Sequence, residues 1–91
     1  MKLSVVIPAR DEEGSIGQTV GDVATALAGD RIPFEIVVVD DGSTDETAAC
    51  VRQLMERYPG VRLVINNGRH GFGMAVRAGL AQATGEAIAV M

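Results

Sequence analysis

With 91 residues and a net charge of -4, the chain has material for one domain, which at this size buries only somewhat above about 60% of its unfolded surface. Its composition is globular, 47% hydrophobic and 22% charged with no low-complexity stretch, and its eight Lys and Arg are scattered, so no basic face is offered to nucleic acid. No run approaches the roughly 18 apolar residues of a membrane span, and Met1-Lys2-Leu3-Ser4 leads into a strand rather than a signal peptide, so a soluble, cytoplasmic protein is expected.

In chain order, Leu3 to Ile7 reads as a first strand closed by Pro8, which supplies no N–H to a ladder. A charged loop, Ala9-Arg10-Asp11-Glu12-Glu13-Gly14, follows. Ser15 then caps a helix whose Ile16, Val20, Val23, Ala24 and Leu27 fall on one buried face, and Gly29-Asp30 and Pro33 end it. The second strand, Phe34 to Val39, is apolar at nearly every position, which predicts cover on both faces. It stops at Asp40-Asp41-Gly42. Ser43 and Glu46 then have capping-box spacing for a helix carrying Ala48, Val51, Leu54, Met55 and Tyr58 on one face, stopped by Pro59-Gly60. Cys50, the only cysteine, reads as a buried or half-buried structural thiol with no internal disulfide partner.

Val61 to Ile65 is a third strand. The glycine-rich segment Asn66 to Gly73 leads to a helix over Met74 to about Thr84, whose small residues Ala75, Ala78, Gly79 and Ala83 allow close approach to a sheet, with Gly85 as its C-cap. Ala87 to Met91 has the apolar continuity of a central strand, and the sequence stops inside it. The expectation is a single partial domain over 1–91, the N-terminal piece of a longer protein, and its cut sheet predicts exposed apolar surface and a homodimer.

The order β-α-β-α-β-α-β with short connections predicts a three-layer α/β fold: a parallel sheet of about four strands in the order 3-2-1-4, with helices on both faces. Ligands in such sheets bind outside the strand carboxyl ends beside the switch, here between strands one and four. The loops there are Pro8 to Gly14 and Asp40 to Ser43.

Three segments are candidates for chemistry. Asp40 and Asp41, as neighbours on a strand, point to opposite faces and so form no catalytic dyad. A carboxylate in the crevice is an acceptor suited to the ring N–H of uracil or the N1–H and N2–H of guanine; alternatively both acids only begin a turn and cap a helix. The loop Pro8 to Glu13 is either a solvated turn or, by its place beside Asp41, part of a site. In Asn67 to Gly79, Gly71-x-Gly73 superficially resembles a dinucleotide fingerprint, but Val76 stands where the third glycine belongs and the segment follows the third strand, which argues against a dehydrogenase. A loop with Arg69 and His70 entering a helix N-terminus can receive a diphosphate, although His70 alone reads as an ordinary loop histidine.

Taken together, Ser4-Val5-Val6-Ile7-Pro8-Ala9-Arg10-Asp11-Glu12-Glu13, then Ile36-Val37-Val38-Val39-Asp40-Asp41-Gly42-Ser43-Thr44-Asp45, then Gly71-Phe72-Gly73-Met74-Ala75-Val76-Arg77-Ala78-Gly79 with Ala83-Thr84-Gly85-Glu86, resemble the opening of family 2 glycosyltransferases of GT-A fold. The dolichyl- or polyprenyl-phosphate mannosyl- and glucosyltransferase branch is nearest in pattern. The resemblance implies a Rossmann-like nucleotide-sugar site in which Pro8, Ala9, Arg10 and Glu12 pack on base and ribose. In the same scheme Asp41 hydrogen-bonds the base, Asp40 braces the turn, and Arg69 and Gly71 lie near the phosphates. It implies transfer of a hexose from a UDP- or GDP-sugar to an acceptor such as polyprenyl phosphate, with membrane association of the full-length parent.

Arg10, Asp11 and His70 stand where many relatives have tyrosine, asparagine and lysine, and the first change removes the aromatic ring that would stack on the base. In this family the fourth strand runs into an Asp-x-Asp motif that holds Mg2+ or Mn2+ on the sugar diphosphate, which would fall after Met91. No metal and no catalytic residue is therefore expected within these residues, and no sugar transfer by them alone. A receiver-like signalling module is the alternative of a different class, although its acidic pair would follow the first strand rather than the second.

Overall fold

A computed structural model describes residues Met1–Met91. Its elements are β1 (Leu3–Ala9), α1 (Ile16–Gly29), β2 (Phe34–Asp40), α2 (Thr47–Arg57), β3 (Val61–Ile65), α3 (Phe72–Gln82) and β4 (Ala87–Val90). The four strands form one parallel sheet in the order β3-β2-β1-β4, as the alternation of strands and helices predicts. Crossovers of α1 and α2 carry the chain to one side of β1 and that of α3 returns it to the other, so the switch lies between β1 and β4.

The continuous apolar run of β2 follows from its central place. Ile36, Val37, Val38 and Val39 are fully buried because both faces are covered. On one face Val5, Ile7, Ala9, Ile36 and Val38 pack with Ile16, Val20 and Ala24 of α1 and Val51 of α2. On the other, Val6, Val37 and Val39 pack under Ala75 of α3. That second layer is thin, and Gly79 explains how: a Cβ there would overlap Val6 Cγ1 and lie 3.0 Å from Val39 Cγ2, so the helix rests on the sheet at its glycine.

Several boundaries differ from the sequence expectation, each for a local reason. Ser43 does not cap α2, because its hydroxyl is taken by the first loop; the helix begins at Thr47, where the Asp45 carboxylate accepts the Thr47 N–H at 2.9 Å. Ser15 occupies the N-cap position of α1 but turns its hydroxyl to Glu12 Oε2 at 2.7 Å. α1 does end at Gly29 with Asp30 as its C-cap, as expected, and a Schellman turn closes it: Arg31 takes φ 57, its N–H reaches Ala28 O, and the Ile32 N–H reaches Leu27 O. α3 starts at Phe72, two residues early, and Ala83 is its C-cap. Gly85 serves instead where the chain crosses β1, since a Cβ would lie 2.5 Å from Ser4 Oγ and 2.8 Å from Lys2 O. Met55 is 40% exposed and not on the packed face of α2. Cys50 is half-buried, as expected.

One buried charge was not anticipated. Glu35 of β2 is 3% exposed and faces α3's exit, where its carboxylate accepts from Ser4 Oγ (2.6 Å), the Thr84 N–H (2.6 Å), Thr84 Oγ1 (3.1 Å) and Arg62 Nη1 (2.8 Å), with Lys2 Nζ at 3.9 Å. Burial alone would raise its pKa, but these donors outweigh it and bring the carboxyl down to about 2.

Candidate functional site: a cleft at the strand carboxyl ends

The pleat continues past the end of β2, because the Asp41 N–H still donates to Ala9 O at 2.9 Å, and so the two acids face opposite ways. Asp40 keeps the side of Ile36 and Val38, and its Oδ1 accepts the Ser43 N–H at 3.1 Å, closing the turn. Asp41 keeps the side of Val37 and Val39, toward α3. The turn itself needs Gly42, which has φ 78 and whose absent Cβ would lie 2.7 Å from His70 Cε1; the imidazole lies against the bare backbone.

Asp41 is the organising group of the β3–α3 segment. Its Oδ1 accepts from Asn66 Nδ2 at 2.8 Å and from His70 Nδ1 at 2.9 Å, and its Oδ2 accepts the Gly71 N–H at 2.8 Å. Since an ionised carboxylate only accepts, the His70 proton in this contact is on Nδ1. Burial pushes the Asp41 carboxyl up, yet the donors Gly71, His70 and Asn66 hold it below the usual carboxylate range, so it is a carboxylate at neutral pH.

The charged first loop is sewn to the second loop rather than solvated. The N–H groups of Asp11, Glu12 and Glu13 donate to Ser43 Oγ (3.0 Å), Thr47 Oγ1 (2.9 Å) and Asp45 Oδ2 (3.2 Å). In return Asp11 Oδ1 accepts the Thr44 N–H at 2.7 Å and Glu13 Oε2 accepts the Glu46 N–H at 3.4 Å. Asp11 has φ 52, a left-handed conformation that aspartate tolerates. The Thr47 hydroxyl and N–H keep the Asp45 carboxyl below its ordinary range, so this seam is negatively charged and fixed.

Beside the seam lies a cleft of about 330 Å³. Pro8, Ala9, Arg10 and Glu12 line it from the first loop, Gly71 and Phe72 from the entrance of α3, and Asp41 is its buried charged member. Six of the eight residues singled out in the sequence thus share one cavity. Asp40 lies on the opposite face as the brace of the turn. Arg69 is exposed and outside the lining, and contributes its carbonyl, which accepts from Asn66 Nδ2 at 2.8 Å. A smaller hollow of about 230 Å³ behind the same loop is lined by Ile7, Ile16, Thr19 and Met91 among others; its one carboxylate, Glu12, is held by Ser15. The larger cleft carries the greater capacity for polar recognition because it contains Asp41.

Sequence reasoning passed over Asn66 and Phe72. Asn66 follows β3 as Asp41 follows β2, with Asn66 N–H donating to Asp40 O at 2.9 Å, so strand parity was the available signal. Phe72 is 66% exposed, while the other two aromatics, Phe34 and Tyr58, pack against the α1–α2 core. No three His, Cys, Asp or Glu side chains gather in a metal-ligating set, and Asp41 already faces three N–H donors, so the residues present do not fit a metal centre.

A doubly wound parallel sheet with an acid-bottomed cleft at its carboxyl ends defines a ligand-binding α/β domain of Rossmann-like type. The chain belongs to glycosyl transferase family 2, whose family model matches residues 4–91. It is 39% identical over its whole length to the dodecaprenyl-phosphate galacturonate synthase of Rhizobium johnstonii, of which it spans 27%. Among solved structures it resembles the mannosyltransferase PcManGT from Pyrobaculum calidifontis in complex with GDP-Man and Mn2+ (TM-score 0.81, 31% identity, 94% of this chain and 25% of that one). It also resembles S. aureus TarS 1-349 in complex with UDP (TM-score 0.83, 29% identity, 100% of this chain and 27% of that one). The chain therefore spans about a quarter of the length of the curated relatives it matches. The structural likeness establishes the GT-A, Rossmann-like fold, and family membership removes the receiver-like alternative.

Proposed function

We propose that these 91 residues are the nucleotide-binding part of a glycosyltransferase, and that the whole protein moves a hexose from a nucleoside-diphosphate sugar to an acceptor such as polyprenyl phosphate. The observation that carries this reading is the gathering of Pro8, Ala9, Arg10, Glu12, Asp41 and Gly71 in one cleft beside the sheet's switch. In this scheme Asp41 accepts a hydrogen bond from the base, the first loop contacts base and ribose, and Asp40 holds the turn from behind. Arg69 and the N–H-rich entrance of α3 lie on the side from which the diphosphate extends.

The acceptor class draws support from the relative named for a dodecaprenyl-phosphate product, and the divalent metal from the neighbour solved with Mn2+. A metal on the sugar diphosphate would supply charge stabilisation for the leaving nucleotide. Residues other than these 91 would hold it, so the chain alone binds nucleotide and transfers no sugar. No helix is long and apolar enough to cross a membrane, and the reading places the cleft in the cytoplasm with any membrane attachment elsewhere in the whole protein. The unpaired outer edge of β4, with Ile88 and Val90 47% and 43% exposed, supports a homodimer of this chain, checked by light scattering at high concentration.

Calorimetric titration with UDP and GDP tests the reading. Binding of one of them by the chain, abolished by Asp41→Ala, supports it. An absence of binding to both, or binding indifferent to Asp41→Ala, refutes it.

A further inference from the structure

We propose that the cleft selects a base offering a single ring N–H, uracil, over guanine, which offers two adjacent donors. This rests on the nucleotide-binding reading above and goes beyond it, because neither the family nor the neighbours, solved with GDP-Man and with UDP, distinguish the bases.

The selection comes from how much of Asp41 is already in use. An ionised carboxylate has about four lone-pair positions, two on each oxygen. Oδ1 has both occupied, by Asn66 Nδ2 at 2.8 Å and His70 Nδ1 at 2.9 Å. Oδ2 has one occupied, by the Gly71 N–H at 2.8 Å. Asp41 lines the cleft with the little of its side chain that stays exposed, and one acceptor position, on Oδ2, receives no hydrogen bond.

Guanine presents N1–H and N2–H side by side, and a carboxylate meets them with one donor on each oxygen. Here the second donor would be the third on Oδ1, so guanine binds either with one N–H unsatisfied in the cleft or by expelling Asn66 or His70. The first carries the cost of an unpaired buried donor, and the second gives up a hydrogen bond to a charged acceptor that holds the β3–α3 segment in place. Uracil presents N3–H alone. It fills the open position on Oδ2 and leaves nothing unpaired on that edge, while the guanidinium of Arg10, in the same lining, offers N–H donors to the flanking carbonyls. His70 and Asn66 are on this account specificity-determining residues that act through Asp41 rather than by touching the nucleotide.

The test is calorimetry with UDP and GDP on the wild-type chain and on His70→Ala, with Asn66→Ala as a second variant should the first not fold. The wild type is expected to bind UDP at least about tenfold more tightly than GDP, the worth of one hydrogen bond to a charged group. Removing His70 opens a position on Oδ1, so GDP gains relative to UDP and the ratio falls toward one while UDP binding persists. Wild-type affinity for GDP equal to or above that for UDP overturns the inference alone, as does a ratio unchanged in both variants. Binding of neither nucleotide overturns it together with the reading on which it rests.

Discussion

The two ends of β2 carry the same chemistry and put it to different uses. Glu35 and Asp41 are both buried carboxylates on the α3 face of one strand, both held below the ordinary carboxylate range, and each is tied to one end of α3. Glu35 accepts the Thr84 N–H at the helix exit; Asp41 accepts the Gly71 N–H at its entrance. The difference lies in what completes each shell. Glu35 is closed by hydroxyls and by the cations Arg62 and Lys2, so it is satisfied and faces no cavity. Asp41 is held by an amide, an imidazole and a backbone N–H and opens on a cleft. A depressed pKa marks both, so it is the unfilled acceptor position, and not the pKa, that separates a site from a lock.

Removing the lock should be the most damaging change. Glu35→Ala leaves the buried Ser4 hydroxyl and the Thr84 donors without their acceptor and releases two half-exposed cations, and a loss of about 2–4 kcal/mol in urea denaturation is expected, a large part of the stability of so small a chain. Acid should reveal the same lock. Its folded pKa lies below the unfolded value, so its stabilisation is complete above about pH 4.5 and is lost as pH falls toward 2. The contribution is about 3 kcal/mol by linkage, with Asp41 adding in the same direction. A stability profile flat between pH 5 and pH 2 would break the comparison at that end.

Gly79→Ala acts between the two ends. Its new methyl meets Val6 and Val39, lifts α3 and strains both anchors, at about 1–3 kcal/mol by denaturation. Asp41→Asn is expected to cost a similar or smaller amount, about 1–3 kcal/mol, while removing nucleotide binding altogether, the inverse of the Glu35 pattern. Smallest is Arg31→Gly in the Schellman turn of α1, which relieves a left-handed arginine and should stabilise by about 0.5–1 kcal/mol with affinity unchanged, since it touches neither end of α3.

The layout of the fold was legible because burial on both faces leaves its mark on a strand: Phe34 to Val39 could hardly be read as anything but a central strand, and the connections then dictated the order β3-β2-β1-β4. Strand alternation likewise set Asp40 and Asp41 on opposite faces. What escaped the sequence were long-range exchanges of hydrogen-bond partners. Ser43 has the spacing of a cap, but the Asp11 N–H claims its hydroxyl from the other loop, so Glu46 takes the N-cap position with no side-chain cap and Asp45, one residue earlier, accepts the Thr47 N–H. Gly85 reads as a helix terminator, yet its role is the close crossing of β1 at Ser4. Glu35 passed without comment inside a strand read as nearly all apolar, because Lys2, Ser4, Arg62 and Thr84 meet only once the sheet is assembled. A charge inside a fully covered strand nevertheless demands partners, and that demand was a readable signal.

Mapping UDP onto the backbone amides of the 91-residue chain by nuclear magnetic resonance tests the central claim most directly. The account predicts shifts confined to Ala9–Glu12, Asp41 and Gly71–Phe72, abolished in Asp41→Asn, with Glu35, Thr84 and their neighbours unmoved. Shifts centred on the Glu35 end of β2, or none at any concentration reached, would contradict it.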